Sequence, residues 1–256
     1  MSPESSTADE TVQSGWSPSM TTRARSPRLG VTVVAELVEA IVRGDIPTGG
    51  TLPPEAVLCE QFGVSRTVIR ESVKRLEEKG LVTVAQGRGT QVTPSRSWNM
   101  LDATVLSALV ANDATLGVLD DLTEVRAALE AVIAKDAAES RTQQQLERLR
   151  NALQLMRDTI GDEPAFGEAD VVFHAVVGEM TDNRLADNIV KTLFYQARLS
   201  ARFSRHSELE LTLDEHEAVF AAIEAADPEA AEAAMRAHII DAWERRRPPN
   251  PRRNDG

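Results

Sequence analysis

GVSRTVIRESVKRLEEKGLVTVAQGRGTQV, residues 63–92, is the stretch of sequence that decides the N-terminal fold. Gly63 interrupts a short helical pattern, and Ser65 is suited to cap the next helix, which we expect to run to Lys79. Gly80 then ends that helix, and two short β-prone runs flank a glycine-rich turn. The order of helix, tight turn, helix and hairpin predicts a winged helix-turn-helix, although any small α+β domain with a hairpin would share it.

The residues before this stretch predict the rest of the same domain. From Leu29 the apolar residues recur at spacings of three and four as far as Gly44, which predicts one helix. A turn-rich connection then leads into a short helix over 55–62. We therefore expect a winged helix-turn-helix domain over residues 27–94, preceded by a Ser-, Thr- and Pro-rich tail over residues 1–26 that is predicted to be disordered.

Beyond a short linker, residues 95–101, every pattern in the chain is helical. We expect seven helices, over about 102–112, 117–139, 142–160, 163–180, 184–206, 209–226 and 228–246. Alanine-rich runs permit these helices to pack closely, which predicts an all-α antiparallel bundle over residues 102–246 and a basic tail over 247–256. The predicted fold class is therefore mostly α, with an N-terminal α+β winged domain.

Charge is distributed unevenly along the chain, whose formal net charge is −12. Residues 23–96 carry eleven Lys and Arg against eight Asp and Glu, whereas residues 97–256 carry seventeen against twenty-nine. Because an acidic surface repels the phosphate backbone, we expect any contact with DNA to be confined to the first region.

The cysteine count and the length of the apolar runs indicate the cellular compartment of the protein. One cysteine excludes an internal disulfide framework and fits a reducing environment. No apolar run approaches the ~20 residues that a membrane-spanning helix needs, and no secretory signal is recognisable. We therefore expect a cytoplasmic protein without a membrane partner.

The helix that begins after Ser65 carries a pattern typical of DNA recognition. Ser65, Arg66 and Thr67 fall on its first turn, and Arg70 lies on the same face as Arg66, opposite an apolar face. An arginine can bind guanine O6 and N7 with two hydrogen bonds, while hydroxyl groups suit phosphates or base edges. A solvated charged face is the alternative for an isolated arginine pair, but the surrounding cap, turn and hairpin favour DNA binding.

Four polar residues in apolar helical surroundings predict a metal site. Asp170 and His174 are four residues apart in the apolar run DVVFHAVV, where burying them is costly unless something pairs them. His216 and His238 each lie eleven residues from the turn between their helices, so antiparallel packing would bring them to the same height. One carboxylate and three imidazoles suit Zn, Mn, Ni or Fe, although a hydrogen-bonded core histidine is the alternative for each one alone. The remaining histidine, His206, is predicted to lie on the surface.

Residues 50–92 resemble the winged-helix domain of the GntR family of bacterial transcription regulators, through the S-R-T-x-x-R-E core, the L-x-x-x-G-L-V step and the glycine-rich wing. The similarity covers about residues 28–94. It implies contacts to a palindromic double-stranded DNA operator by a homodimer, made by Ser65, Arg66, Thr67 and Arg70 of the recognition helix and by Gln86, Gly87 and Arg88 of the wing. The chain departs from the family at Ala56, where a phosphate-contacting arginine is usual.

The C-terminal pattern D-x-x-F-H, EH-x-x-x-x-x-A-I and A-x-x-x-M-x-x-H-I resembles the FCD ligand domain of the FadR-type subfamily. That resemblance implies that a divalent metal is bound by Asp170, His174, His216 and His238. Among the metals that suit these donors, Zn is the first candidate, and Mn or Ni come next. It also places Arg126 where an effector carboxylate is held, with a surface pair between Arg126 and Glu130 as the alternative. Thr212, one helical turn before His216, and Gln196 are further candidates for contact with the effector.

Three segments resemble the galactonate-operon repressor group of this family: PPEAVLCEQF (53–62), SWNMLD (97–102) and EVRAALEAVIAKDAAE (124–139). This resemblance implies a sugar acid such as galactonate or gluconate as effector. No H-E-x-x-H spacing and no nucleophile motif accompany the histidines, so we expect no enzymatic activity. The prediction is a DNA-binding repressor released by a metal-bound carboxylate. The alternatives are a metal-dependent enzyme with an accessory DNA-binding-like domain and a pure metal sensor.

Overall fold

The computed structural model describes residues 26–85, 87–198 and 208–247, without the side chains of 26–28 and 194–198. Its N-terminal elements are α1 Ser26–Arg43, α2 Glu55–Phe62, α3 Arg66–Glu78, β1 Val82–Ala85 and β2 Gly89–Val92. Its C-terminal elements are α4 Ala103–Asn112, α5 Gly117–Ser140, α6 Gln143–Asp158, α7 Glu163–Gly178, α8 Arg184–Arg198, α9 Leu209–Ala225 and α10 Pro228–Arg246. The predicted fold class, mostly α with a small N-terminal sheet, is confirmed.

The N-terminal elements form a winged helix-turn-helix around one apolar core. Ser65 caps α3 by accepting a hydrogen bond from the backbone N–H of Val68 at 3.5 Å, as its position before the apolar pattern predicts. Ile69 and Leu76 lie on the inner face of α3 and pack in this core, and neither residue has any exposed surface. The strands β1 and β2 pair antiparallel with Val82 opposite Val92, and both valines are buried in the same core. Arg66, Thr67 and Arg70 lie on the other face of α3, which is exposed.

The linker residues are packed against this winged domain. Ser95–Ser97 form a turn of 3-10 helix, and the indole N–H of Trp98 donates a hydrogen bond to the Thr93 carbonyl at 3.2 Å. Gly80 has a positive φ of 74°, and a Cβ at this position would lie 2.1 Å from the carbonyl oxygen of Ser97. The close approach of the linker therefore requires glycine at the C-terminal end of α3.

Helix α4 contacts both halves of the chain. Val105 and Ala108 belong to the winged-domain core, whereas Leu106 and Val110 pack in a cluster that also contains Leu193 and Trp243 of the bundle. Asn112, at the end of α4, donates a hydrogen bond of 2.8 Å to Glu39 of α1. The domain division predicted at residues 95–101 stays a prediction, because α4 packs on both sides of it.

The C-terminal helices form a bundle with α5 at its centre. Ala127, Ala131, Ala134 and Ala138 have no exposed surface, which lets neighbouring helices approach α5 closely. Helices α9 and α10 form a tight hairpin in which Asp227 caps α10 by accepting from the backbone N–H of Ala230. No helix in the described part of the chain is both long and apolar enough to span a membrane.

The predicted helices of the bundle match the observed ones to within a few residues. The helix predicted over 184–206 is described as far as Arg198. The remainder of that prediction, His206 and the predicted tails fall outside the described residues.

Candidate metal centre and DNA interface

The structure brings the four residues predicted as metal ligands together in the interior of the bundle. Helix α7 carries Asp170 and His174, α9 carries His216 and α10 carries His238. One nitrogen or oxygen atom from each of the four lies within 4.8 Å of the others. Asp170, His216 and His238 are buried, His216 with no exposed surface, and the side chain of His174 is 7% exposed. Helical spacing on α7 and the antiparallel α9–α10 hairpin therefore produce the cluster that the sequence predicts.

The tautomer of His216 is determined by its own helix. Its Nδ1 lies 2.7 Å from the carbonyl oxygen of Thr212, and a carbonyl can only accept a hydrogen bond. Nδ1 therefore carries the proton, so in the neutral ring Nε2 presents a lone pair. This Nε2 is buried and 3.1 Å from Oδ1 of Asp170, without a hydrogen-bond donor in reach.

The other two imidazoles are held by carboxylates in the same way. Nδ1 of His174 lies 2.6 Å from Oε2 of Glu130, and Nδ1 of His238 lies 3.0 Å from Oε2 of Glu215. Because a carboxylate accepts, both contacts place the ring proton on Nδ1. The two Nε2 atoms then face each other at 3.3 Å in the cluster.

This arrangement fits a bound cation. Three imidazole lone pairs and the carboxylate of Asp170 converge, which is electrostatically unfavourable unless a positive charge lies between them. Ligands about 2.1 Å from a common ion lie roughly 3 to 4 Å apart. Three of the six distances between the four ligand atoms, 3.1, 3.3 and 3.8 Å, fall in that range, and all six are within 4.8 Å. Metal-binding histidines characteristically donate their second N–H to a carboxylate or carbonyl, as His216 and His238 do here, and Nδ1 of His174 lies 2.6 Å from a carboxylate oxygen of Glu130.

The buried charges shift the pKa values around the cluster. Burial alone would raise the pKa of Glu130, but Arg126 and His174 outweigh it and lower this pKa to about 2. Burial alone would lower the pKa of His174, yet the charge and hydrogen bond of Glu130 raise it. For His238, burial and the neighbouring His216 and His174 act together and hold its pKa well below the usual range. His238 is therefore neutral near pH 7, with its lone pair available.

Arg126 pairs with Glu130, the arrangement predicted from the sequence as the alternative to an effector contact, but the pair lies in the protein interior instead of on the surface. Its Nη2 and Nε lie 2.7 and 2.9 Å from Oε1 of Glu130, and the two residues are 5% and 3% exposed. The alternative of a surface pair is therefore wrong in its location. Because the other oxygen of Glu130 contacts His174, Arg126 is linked to the cluster through one carboxylate.

Sequence reasoning missed three further charged residues around the cluster. Glu215 contacts His238 and is bound by both terminal nitrogens of Arg245, at 2.6 and 2.8 Å. Arg246 is partly buried, and its pKa is lowered by burial although the charge of Asp170 opposes that shift. Arg245 could have been suspected because it follows His238 by seven residues, two helical turns. The contact of Glu215 joins two helices, so no spacing along the chain predicts it.

A cavity of about 230 Å³ adjoins the cluster between α5, α7, α8 and α10. Glu130 and His174 form the part of its wall that touches the candidate metal site. Most of the remaining wall is apolar and includes Ile133, Val171, Val190 and Met235. The ion pair of Asp187 and Lys191 completes the lining, and the Lys191 side chain is half exposed. A small molecule in this cavity would touch the outer side of His174.

Thr212 and Gln196 are the two further residues predicted to contact the effector. Thr212 is buried, and its backbone carbonyl fixes the ring of His216. It does not line the cavity described above. Gln196 lies on α8, but its side chain is outside the described part of the chain. An effector contact of either residue stays a prediction.

The predicted recognition residues lie on the exposed face of α3. Arg66 and Thr67 occupy its first turn and are exposed, and the side chain of Arg70 is 66% exposed. Nε of Arg70 contacts both carboxylate oxygens of Glu55 on α2, each at 3.1 Å. This contact, absent from the sequence-based prediction, leaves the side chain on the surface and limits its orientation.

The hairpin tip and the start of α2 complete this surface. Gly87 has a φ of 77°, and the backbone N–H of Arg88 closes the turn by donating to the Ala85 carbonyl at 3.0 Å. Arg88 is exposed at the tip, whereas Gln86 falls outside the described residues. Ala56 is exposed on the first turn of α2, where the family usually places an arginine.

The chain matches two family models. The model described as bacterial regulatory proteins, gntR family, matches residues 29–92, and that of the FCD domain matches residues 121–241. The first match covers α3 and the hairpin. The second covers all four residues of the candidate metal centre.

Individual proteins show the same similarity over most of the chain. The galactonate operon transcriptional repressor of Escherichia coli K12 is 34% identical over 218 residues, which is 83% of this chain and 94% of that protein. The HTH-type transcriptional regulator LutR of Bacillus subtilis 168 is 32% identical over 78% of this chain and 93% of its own. The solved structure of Lar, which controls expression of the Listeria monocytogenes agr system, has a TM-score of 0.55 at 20% identity, over 85% of this chain and 96% of that one, and so shares the fold.

Proposed function

The chain belongs to the GntR family of bacterial regulatory proteins and is a DNA-binding transcription regulator with an FCD domain, and from that premise we propose that it is a homodimeric, cytoplasmic repressor released by a carboxylate effector. Its relatives are regulators and not enzymes, so the alternative of a metal-dependent enzyme is dropped. A two-fold symmetric dimer would read the two halves of a palindromic operator.

The proposed DNA-binding surface combines α3 with the hairpin tip. Exposed guanidinium and hydroxyl groups on the first turns of α3 support it, because this part of a recognition helix reaches base edges in the major groove. The proposed contacts are Ser65, Arg66, Thr67, Arg70, Gln86, Gly87 and Arg88.

A gel-shift experiment with the protein's own promoter tests this surface. We expect the variant Arg66→Ala/Arg70→Ala to lose specific binding, since each arginine that reads a base contributes about 1–3 kcal/mol of discrimination. Arg148→Ala, which removes a surface arginine paired with Glu179 in the bundle, is the control and should bind like the wild type. Unchanged operator binding by the double variant would exclude α3 as the reading element.

The proposed metal site consists of Asp170, His174, His216 and His238. The convergence of three buried imidazole lone pairs on a carboxylate is the observation that carries this proposal. Zn is the first candidate, and Mn and Ni suit the same donors. We expect the purified protein to bind about one Zn²⁺ per chain, and the His174→Ala/His216→Ala variant to bind none. His206→Ala is the control, and near-stoichiometric metal in the double variant would refute the site.

The buried charges favour an anionic effector beside this metal. Glu130, Asp170 and Glu215 lie close to three guanidinium groups, those of Arg126, Arg245 and Arg246, and Glu208 also pairs with Arg245 at 3.6 Å. With a divalent ion these seven groups would carry a net charge of +1, which a carboxylate ligand complements. When bound, the metal would offer a coordination position to a carboxylate oxygen. Arg126 is the proposed second contact, with Thr212 and Gln196 as further candidates.

A sugar acid such as galactonate or gluconate is the effector class we propose to test first, because the galactonate operon repressor of E. coli is 34% identical. Metal-loaded protein bound to its promoter would be titrated with galactonate, gluconate and a hydroxy acid with an apolar body. We expect the sugar acids galactonate or gluconate to release the DNA, and the hydroxy acid with an apolar body not to release it. If the metal alone changes the affinity for DNA and no acid does, the protein is a metal sensor.

A further inference from the structure

A chain of polar contacts leads outward from the cluster along α9 and α10. Nδ1 of His238 lies 3.0 Å from Oε2 of Glu215. Both oxygens of that carboxylate also accept hydrogen bonds from Arg245, Oε1 from Nη1 at 2.6 Å and Oε2 from Nη2 at 2.8 Å. The side chains of Glu215 and Arg245 are only 16% and 18% exposed. Glu215 and Arg245 therefore form a largely buried, bidentate ion pair and not a solvent-exposed one.

We propose that Glu215 and Arg245 are positioning residues that orient His238 for metal binding. The inference rests on the proposed metal site and goes beyond its four ligands. Glu215 accepts the Nδ1 proton of His238, which fixes the tautomer and directs Nε2 into the cluster. Arg245 holds both oxygens of Glu215, which restricts the carboxylate to the orientation that the ring requires.

Two of the three imidazoles, His174 and His238, contact a carboxylate that an arginine holds in turn, and Glu215 is the one of these carboxylates that does not line the cavity. His216 is fixed by the backbone of its own helix, through the Thr212 carbonyl. His174 is fixed by Glu130, a residue that also lines the interior cavity. The position of His238 depends on Glu215 from the neighbouring helix, and that residue depends on an arginine two turns further along α10.

The charge of this carboxylate has a second consequence. An imidazole whose Nδ1 proton is shared with a carboxylate is a stronger donor through Nε2 than one that donates to a neutral group. Replacing Glu215 by glutamine keeps the size and a hydrogen-bond acceptor but removes the charge. Loss of such an outer contact typically lowers metal affinity 10–100-fold. We therefore expect Glu215→Gln to lower the affinity for Zn²⁺ by about this factor.

The test uses the full-length protein and two metals. Zn²⁺ affinity would be measured by competition with a chromophoric chelator, and the geometry at the ion by the visible absorption spectrum of the Co²⁺-loaded protein. Glu215→Gln should show weaker Zn²⁺ binding and a changed Co²⁺ spectrum. Arg245→Ala should change both in the same direction but less, because Glu215 keeps its contact with His238.

Glu217→Gln is the matched control, since Glu217 lies two residues away on α9 and pairs with Arg157 at the surface. It should bind both metals like the wild type. Circular dichroism would establish that each variant is folded, and Arg245→Ala decides the question if Glu215→Gln does not fold. Wild-type affinity and spectrum in the folded variants would overturn the positioning role while leaving the metal site intact. Failure of the wild type to bind either metal would instead overturn the metal site and the positioning role with it.

Discussion

Arg70 on the recognition helix and Glu55 on the preceding helix form a forked contact in which Nε of the arginine is 3.1 Å from each carboxylate oxygen. The two side chains are 66% and 43% exposed, so the pair contributes little to stability. The location of the pair matters more than its stability, because the Glu55 carboxylate lies beside an arginine that is proposed to contact DNA. If Arg70 contacts DNA as proposed, phosphate or base edges compete with Glu55 for the same guanidinium.

Removing the charge of Glu55 should therefore change how the protein discriminates between DNA sequences. In Glu55→Gln, we expect binding to unrelated DNA to strengthen severalfold, because one repulsive charge near the phosphates is lost. The plot of log K against log salt should steepen by up to about one unit. Fluorescence anisotropy at several salt concentrations measures both, with Glu179→Gln in the bundle as control. An unchanged affinity for unrelated DNA would show that Glu55 does not compete.

Restoring the family arginine at the start of α2 should strengthen binding to every sequence. Ala56 is exposed on the first turn of that helix, so Ala56→Arg adds a cation without disturbing the core. One additional phosphate contact should raise the magnitude of the salt slope by about 0.9. The same titrations measure it, on the operator and on unrelated DNA. A gain confined to the operator would mean that the new side chain contacts a base.

Because the ion pair of Arg126 and Glu130 is buried, we expect the loss of one partner to destabilise the protein. Glu130→Gln leaves Arg126 buried without its charge partner, which should lower the free energy of unfolding by about 3–5 kcal/mol. Replacing both residues by apolar ones of similar size, in Arg126→Met/Glu130→Leu, should cost much less. Urea unfolding followed by circular dichroism measures both variants. Equal losses in the single and double variants would show that packing, and not charge pairing, dominates at this site.

Metal binding should stabilise the folded protein through the four ligands. At a free Zn²⁺ concentration of about 100 times Kd, the free energy of unfolding should increase by about 2.7 kcal/mol, and a chelator should reverse the effect. Thermal unfolding with and without metal measures the shift. His216→Gln should show almost none of it, whereas His206→Gln should behave like the wild type. A metal-dependent shift of wild-type size in His216→Gln would place the ion elsewhere.

The features that local spacing determines were predictable from the sequence. The cap at Ser65, the glycine that ends α3 and the four-residue spacing of Asp170 and His174 all follow from helix geometry. The convergence of His216 and His238 follows from their equal separation of eleven residues from Asp227, at the turn between two antiparallel helices. These predictions need no knowledge of how distant parts of the chain pack.

The contacts that were missed all depend on tertiary packing. The interior location of Arg126 and Glu130 depends on which helices cover α5, because the same spacing would give a surface pair on an uncovered helix. The contact between Glu215 and His238 joins two helices, and that between Glu55 and Arg70 joins two others. Such pairs require the relative rotation of each helix about its axis, which periodicity does not specify.

The packing of α4 determines where a fragment that contains only the winged domain should end. A fragment that stops at residue 101 would lack Val105 and Ala108, so the apolar surface that they cover on the winged domain would be open to water. A fragment that continues through Asn112 keeps those two side chains and the hydrogen bond to Glu39. We therefore expect the smallest independently folding DNA-binding unit to extend past the linker, to the end of α4.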